Sequence, residues 1–266
     1  MNKSISEIKF NARKKIEYNF PKLIAACALV GVVCATICFL VYIIQILNMN
    51  MEELISAALS KNEQAMMKMA EKLSRDPYYL AINVFTILLG SLAVEIALAG
   101  YKRMVINVAR GQRANIEDII YPLTHNPDKV IMFGLVIYGL AMVPELLDIV
   151  ILTGAGNGEG TPSVSVQVFL NLIYFVYMLA VIILNIYLSQ AEFLYLDDPE
   201  KSFKDMLTES YRLMKGNVFR YILLNLSFIP WYIFAVFTFG SGLIFVMPYH
   251  QTALSVFYRN LKGEIA

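Results

Sequence analysis

The chain has 266 residues, a mean hydropathy of +0.58 and 16% charged residues, against about a quarter in soluble domains. Its 22 Lys and Arg face 21 Asp and Glu, so it lacks the basic excess of a nucleic-acid binder. Long uncharged runs alternate with dense charge clusters, and each run can cross a hydrocarbon core, which takes roughly 20 helical residues.

Residues 4–18 (SISEIKFNARKKIEY) place Ile5, Ile8, Ala12 and Ile16 on one stripe with basic residues around it, predicting an amphipathic helix. The first span, Leu23–Leu47, follows. Its late start, its length and the lack of a small-residue cleavage site predict a retained span, not a secretory signal. Cys27, Cys34 and Cys38 all lie in it on one face. With no histidine among them and no C-x-x-C pair, packing is expected rather than a metal or redox centre. No cofactor is expected.

A polar excursion, residues 49–77, closes at Arg75-Asp76-Pro77 and leads to a second span, Tyr79–Val105. This span carries Glu95, the deepest ionisable residue. On insertion scales such a group costs about 2.5–3.5 kcal/mol, so it needs a partner or a role. Lys102 shares its face and can reach back toward it or toward the interface. Gly90, Ala93, Ala97 and Gly100 form a small-residue face suited to close helix packing.

Asn115–Ile120 aligns with Ser202–Leu207 at an offset of 87, and this shorter segment ends at Asn126-Pro127. The third span, Val130–Thr153, carries Gly134, Tyr138, Ala141, Glu145 and Asp148 on one stripe, with Pro144 beside it to kink the helix. Glu145 and Asp148 either hold a cation or mark the headgroup level at the helix end. A glycine-rich loop (GAGNGEGTPS) joins it to the fourth span, Val166–Leu194. Ser189, Gln190 and Glu192 read as interfacial there.

Leu196–Phe234 is the clearest unit. Pro199 suits a first helical turn, and Phe203, Met206, Leu207, Ser210, Leu213 and Met214 share one face among Lys201, Lys204, Arg212 and Lys215. Gly216 can end the helix in the left-handed conformation. Residues 4–18 align with this unit without a gap at an offset of 198, Ile5 on Phe203 and Ile16 on Met214. Asn19, Asn126 and Asn217 each stand just before a span. The fifth span, Val218–Phe239, turns at Gly240-Ser241-Gly242 into the sixth, Leu243–Tyr258. The sixth holds Pro248, Tyr249, His250, Gln251 and Thr252, a polar stripe that lines a cavity or packs on Asn225, Ser227 and Trp231.

These elements predict an all-α, six-span bundle, a single membrane domain over 1–266. It would contain three weak repeats (about 4–108, 112–195 and 200–260), each an amphipathic surface helix followed by two spans. With a cytoplasmic N-terminus, all but Lys61, Lys68, Lys72 and Arg75 of the 22 basic residues fall on the inner side. The positive-inside rule then puts both termini and all three surface helices at the inner leaflet. The candidate polar site is Glu95, Glu145, Asp148, His250 and Gln251. Lys14, Lys15, Lys204 and Lys215 are the candidate contacts to anionic lipid.

His125 and His250 lie on different elements, and no H-E-x-x-H, phosphate loop or G-x-S-x-G occurs, so no enzyme is expected. Two readings follow. One is a protein that organises or senses lipid, or an accessory subunit of an export or envelope-stress system. The other is a small transporter or channel using the intramembrane carboxylates. Expected partners are the bilayer and a membrane protein or a second copy, with no nucleic acid.

Leu196-Asp197-Asp198-Pro199, Met214-Lys215-Gly216, Leu226-Ser227-Phe228, Trp231, Thr238-Phe239-Gly240-Ser241-Gly242 and Pro248-Tyr249 resemble the C-terminal signature of domain-of-unknown-function family 975. Ile8-Lys9 and Ala12-Arg13 fit the family's N-terminus, and Pro230 departs from it where a glycine is expected. A fainter similarity connects the chain to the membrane domain beside some bacterial glycerophosphodiester phosphodiesterases. The resemblance implies a six-span bacterial membrane protein and brings no established activity or site residues.

Overall fold

The computed structural model describes residues 3–48, 55, 56, 59, 64, 67, 76–147 and 164–265. Its helices are α1 (Ile5–Ile16), α2 (Phe20–Leu47), α3 (Pro77–Ala109), a 3-10 turn (Ile116–Ile120), α4 (Tyr121–Thr124) and α5 (Pro127–Gly134). A π-helical turn (Leu135–Gly139) follows, then α6 (Val164–Leu188), α7 (Ala191–Asp197), α8 (Phe203–Met214), α9 (Val218–Leu226), α10 (Ile229–Phe237) and α11 (Leu243–Leu261). Among the described residues every regular element is helical.

Among the described residues four stretches are long and apolar enough to cross a membrane: Phe20–Leu47, Pro77–Ala109, Val168–Asp197 and Val218–Phe237. The expected third span starts as α5, passes through the π-helical turn and a short helix at 143–147, and leaves the described residues after 147. The expected sixth is α11, of 19 residues, whose apolar character is diluted by His250, Gln251, Arg259 and Asn260.

Three caps set where the amphipathic segments begin. Ser4 Oγ accepts the Glu7 N–H at 3.3 Å while the Glu7 carboxylate takes the Ser4 N–H at 2.7 Å, a reciprocal capping box. Ser202 Oγ accepts the Asp205 N–H at 3.2 Å, and Asn115 Oδ1 accepts the Glu117 N–H at 3.2 Å. Ser4, Asn115 and Ser202 are the positions that coincide at the two sequence offsets. The helix ends also follow local chemistry, since Gly216 takes φ +83 and closes α8.

The chain packs as two compact units, Met1–Cys34, Glu95–Phe133 and Ile183–Ala266 in the first, Ala35–Val94 and Gly134–Ile182 in the second. In the second unit, Gly90 lets α3 lie close to α2, because an added Cβ would stand 2.6 Å from Val41 Cγ2. Gln45 Nε2 donates to Asn83 Oδ1 at 2.5 Å between the same helices, and Tyr177 donates to Leu140 O at 2.8 Å.

Among its described residues the first unit has three apolar cores. One gathers Ile106, Phe133, Leu194, Tyr195 and Met206, the next Leu23, Val30, Tyr101 and Met104, the third Ile8, Leu224, Phe228 and Phe257. These cores use the stripes that the sequence leaves available for lipid. Ile8, Ala12 and Ile16 of α1 are buried, as are Met206, Ser210 and Met214 of α8. Burying such side chains contributes about 1.5–3 kcal/mol each for the larger ones, so both helices dock apolar face inward on protein. The middle segment is different: Ile116, Ile120 and Leu123 stay exposed.

Three cations tie the caps together. Each stands three residues after one of the pre-span asparagines: Lys22 after Asn19, Lys129 after Asn126, Arg220 after Asn217. Each donates to the carbonyl of the residue just before a cap. Lys22 reaches Ala114 O at 3.4 Å, Lys129 reaches Lys201 O at 2.9 Å, and Arg220 reaches Lys3 O at 2.6 Å. Asn19 adds an acceptor for the Ala114 N–H at 2.9 Å, and Asn126 a donor to Pro199 O at 2.9 Å. The first segment thus holds the second, the second the third, and the third the first. Carbonyls outside a helical ladder need such donors when water is partly excluded.

Removing one clasp has a definite expectation. Lys129→Met leaves Lys201 O without this donor and Pro199 O with Asn126 alone and should cost about 1–3 kcal/mol. Chemical unfolding in detergent should show a lower midpoint, with Lys129→Arg recovering most of it.

Candidate functional site

Glu95 is buried in α3 at 4% exposure, and Lys102, two turns on, reaches back to 3.9 Å from its Oε1. The same ammonium is paired directly with Glu192 Oε2 of α7. Glu192, read from sequence as interfacial, is therefore a buried partner, because α7 turns Ala191 to Leu196 into the core. Glu192 Oε1 has no hydrogen-bond partner among the described residues. Two carboxylates around one ammonium can hold a proton or a cation, or simply neutralise Lys102.

The other candidate polar residues separate. His250 of α11 is buried between Asn225 and Tyr232, with Nε2 3.1 Å from Asn225 Oδ1 and Nδ1 2.7 Å from the Tyr232 hydroxyl. Asn225 Nδ2 already donates to Tyr221 O at 2.8 Å, which leaves its Oδ1 to accept. The network therefore places a proton on Nε2, facing Asn225 Oδ1, and sets Nδ1 against the Tyr232 hydroxyl. The predicted packing on Asn225 is present. Ser227 instead accepts from Lys9 at 3.3 Å, and Trp231 stays half exposed. Gln251 is half-buried with its Oε1 unpartnered. Glu145 is exposed and belongs to the second unit, while Asp148 lies outside the described residues.

A second polar cluster, unmarked in the sequence, gathers the ends of α3, α7 and α11. Arg110 pairs with Asp197 at 2.7 Å and with Glu264 at 3.0 Å. Tyr258 donates to Asp197 Oδ2 at 2.6 Å, and Arg259 binds Glu264 at 2.8 Å as well as Ala109 O. Its signal in the sequence is weak, because apart from Arg259 and Glu264 the partners lie 61 to 154 residues apart. Among the described residues no three His, Cys, Asp or Glu side chains form a group that could hold a metal ion. Cys27 is buried, Cys34 half-buried and Cys38 exposed along one helix.

Glu209 of α8 bridges Lys201 and Lys262, the latter at 2.9 Å. Burial alone would raise its carboxyl, but hydrogen bonds from the two lysines more than offset that and hold it below the ordinary range. A carboxyl lowered on folding stabilises above the unfolded-chain value and loses that contribution as pH falls through the folded one. Glu209→Gln should thus lower stability by about 0.5 kcal/mol at neutral pH, after solvent screening. Thermal scans at pH 7 and below pH 4 should show the difference from the parent shrinking in acid.

The candidate lipid-contacting lysines are all exposed. Lys14 and Lys15 line a cavity of about 660 Å³ together with Asn11, Tyr18, Asn19, Lys22, Gly111, Gln112 and Arg113. Lys204 and Lys215 lie on α8 and at its end, and are not part of that cavity. On the opposite flank of α1, a cleft of about 550 Å³ is lined by Ile16, Phe20, Trp231, Phe245, Val246 and Tyr249 with Arg13 and Glu17. The sequence marked Lys14 and Lys15. It gave no reason to join them to Lys22 and Arg113, which follow different elements.

A family profile described as Protein of unknown function (DUF975) matches residues 1–264. The chain belongs to this family. No curated protein and no solved structure matches it, so the fainter similarity to the phosphodiesterase-associated membrane domain finds no support there. For this DUF975 protein, membership names no reaction, and among the described residues four apolar helices are long enough to cross a membrane.

Proposed function

We propose that this DUF975 protein is a six-span protein of the bacterial plasma membrane with both termini cytoplasmic. In this reading it organises or senses anionic lipid at the inner leaflet, or does so as an accessory subunit of an export or envelope-stress system, and catalyses no reaction. Its three amphipathic segments would be repeats lying at the inner leaflet. The observation that carries this is the state of α1 and α8: their apolar stripes are consumed by the protein core while Lys14, Lys15, Lys204 and Lys215 stay exposed. A helix docked that way meets the membrane through its charges, each worth about 1 kcal/mol near an anionic surface. The transport alternative gains nothing from Glu95, whose buried carboxylate is engaged by Lys102.

The test is charge reversal of all four lysines to Glu in protein purified in detergent. Co-purifying and added phosphatidylglycerol should fall at least tenfold by lipid mass spectrometry, with phosphatidylcholine unaffected. Unchanged recovery of anionic lipid would remove this reading.

A further inference from the structure

The start of α2 lies beside two basic walls. α1 brings Lys14 and Lys15 on the flank away from Glu17, and the turn after α3 brings Arg113, while Lys22 stands on the first turn of α2 itself. Among the described residues that line the resulting cavity none is a carboxylate. Its walls are fixed by the clasp between Asn19, Lys22 and Ala114. Gly111 takes φ +86, and a Cβ there would stand 3.2 Å from Lys15 Nζ, so the bare glycine turn leaves room for that ammonium.

A concave surface with four cations and no acid concentrates anions. Lys ammonium groups act on a phosphate as point charges, and the Arg fork can take two of its oxygens. The partial positive charge at the N-terminus of a helix adds to the same field. Depth selects the source of the anion. The cavity borders the point where the membrane-length run Phe20–Leu47 begins, which is the level of the headgroups. Its volume of about 660 Å³ exceeds what a bare phosphate fills and accommodates a phosphate with its glycerol.

We propose that this groove binds the phosphate-bearing headgroup of an anionic inner-leaflet glycerophospholipid. The site rests on the lipid reading above and makes it local: one bound lipid at Lys14, Lys15, Lys22 and Arg113 in place of a diffuse basic surface.

The experiment is a titration of the full-length protein in detergent with phosphatidylglycerol, read by native mass spectrometry. The parent should retain one lipid. Lys14→Gln/Lys15→Gln/Arg113→Gln should bind it roughly 100-fold more weakly, at about fivefold per cation removed. Lys22 is left in place because it belongs to a clasp. Lys204→Gln/Lys215→Gln should bind like the parent, and so should the charge-preserving Lys14→Arg/Lys15→Arg, which keeps the Arg113 fork. Equal weakening in both neutralised variants would overturn the groove while leaving the lipid reading intact. Loss in the charge-preserving variant would overturn it as well, by showing that packing and not charge was removed. A parent that binds no phosphatidylglycerol would overturn both. Glycerol phosphate binding as tightly as the lipid would overturn the lipid as occupant and make this a site for a soluble phosphate.

Discussion

Lys102→Met is expected to destabilise the protein by about 3–5 kcal/mol, the usual cost of removing one partner of a buried ion pair. Lys102 sits between Glu192, with which it is paired, and Glu95 at 3.9 Å. The two carboxylate side chains are 11% and 6% exposed, so water cannot take over from the ammonium. The decisive comparison is the double variant Lys102→Met/Glu192→Leu. Replacing a whole buried pair with apolar groups is often neutral, so the double variant should recover most of the loss. Glu95→Gln should cost less than Lys102→Met, because its contact is the longer of the two. Unfolding by a denaturing detergent, followed by circular dichroism, measures all three against the parent. A Lys102→Met protein as stable as the parent would mean that the cluster is hydrated in the membrane and open to exchange, which would revive a transport role for Glu95.

Gly100→Ala is expected to be the most damaging single-methyl change. A Cβ at Gly100 would stand 1.9 Å from Ile119 O and 2.6 Å from Ile119 C. The obstacle is backbone, which cannot swing aside as a side-chain tip can. Overpacking of this kind typically costs about 1–3 kcal/mol, occasionally more, and here the 3-10 turn Ile116–Ile120 must shift as a body. Gly31→Ala in α2 is the matched control, since nothing lies within 4 Å of its added Cβ. It should be neutral or stabilising by up to about 1 kcal/mol through helix propensity. Equal melting temperatures for the two variants would mean that the turn does not pack on α3 as described.

The same pair of glycines shows what could be read in advance. The small-residue face of α3 was visible from spacing, and so was close packing. The partners were not: Gly90 meets Val41 and Gly100 meets a backbone carbonyl of a turn, and nothing local encodes which surface arrives. Likewise the offsets of 198 and 87 align Ser4, Asn115 and Ser202, and all three are caps. The asparagines before each span stand out by position, whereas the cations three residues later read only as inner-leaflet charge.

Helical class, membrane-length runs, caps and the left-handed glycine were determined by the sequence itself, because each depends on residues within a turn or two of one another. Burial is different. An amphipathic stripe states that one face wants to leave water, and lipid and protein satisfy it equally well. Only the tertiary structure decided that α1 and α8 bury theirs in protein, that Glu192 turns inward onto Lys102, and that Lys14 and Lys15 meet Lys22 and Arg113 around one cavity. Those choices are made by residues tens to hundreds of positions apart, through contacts whose energies exist only once the helices have met.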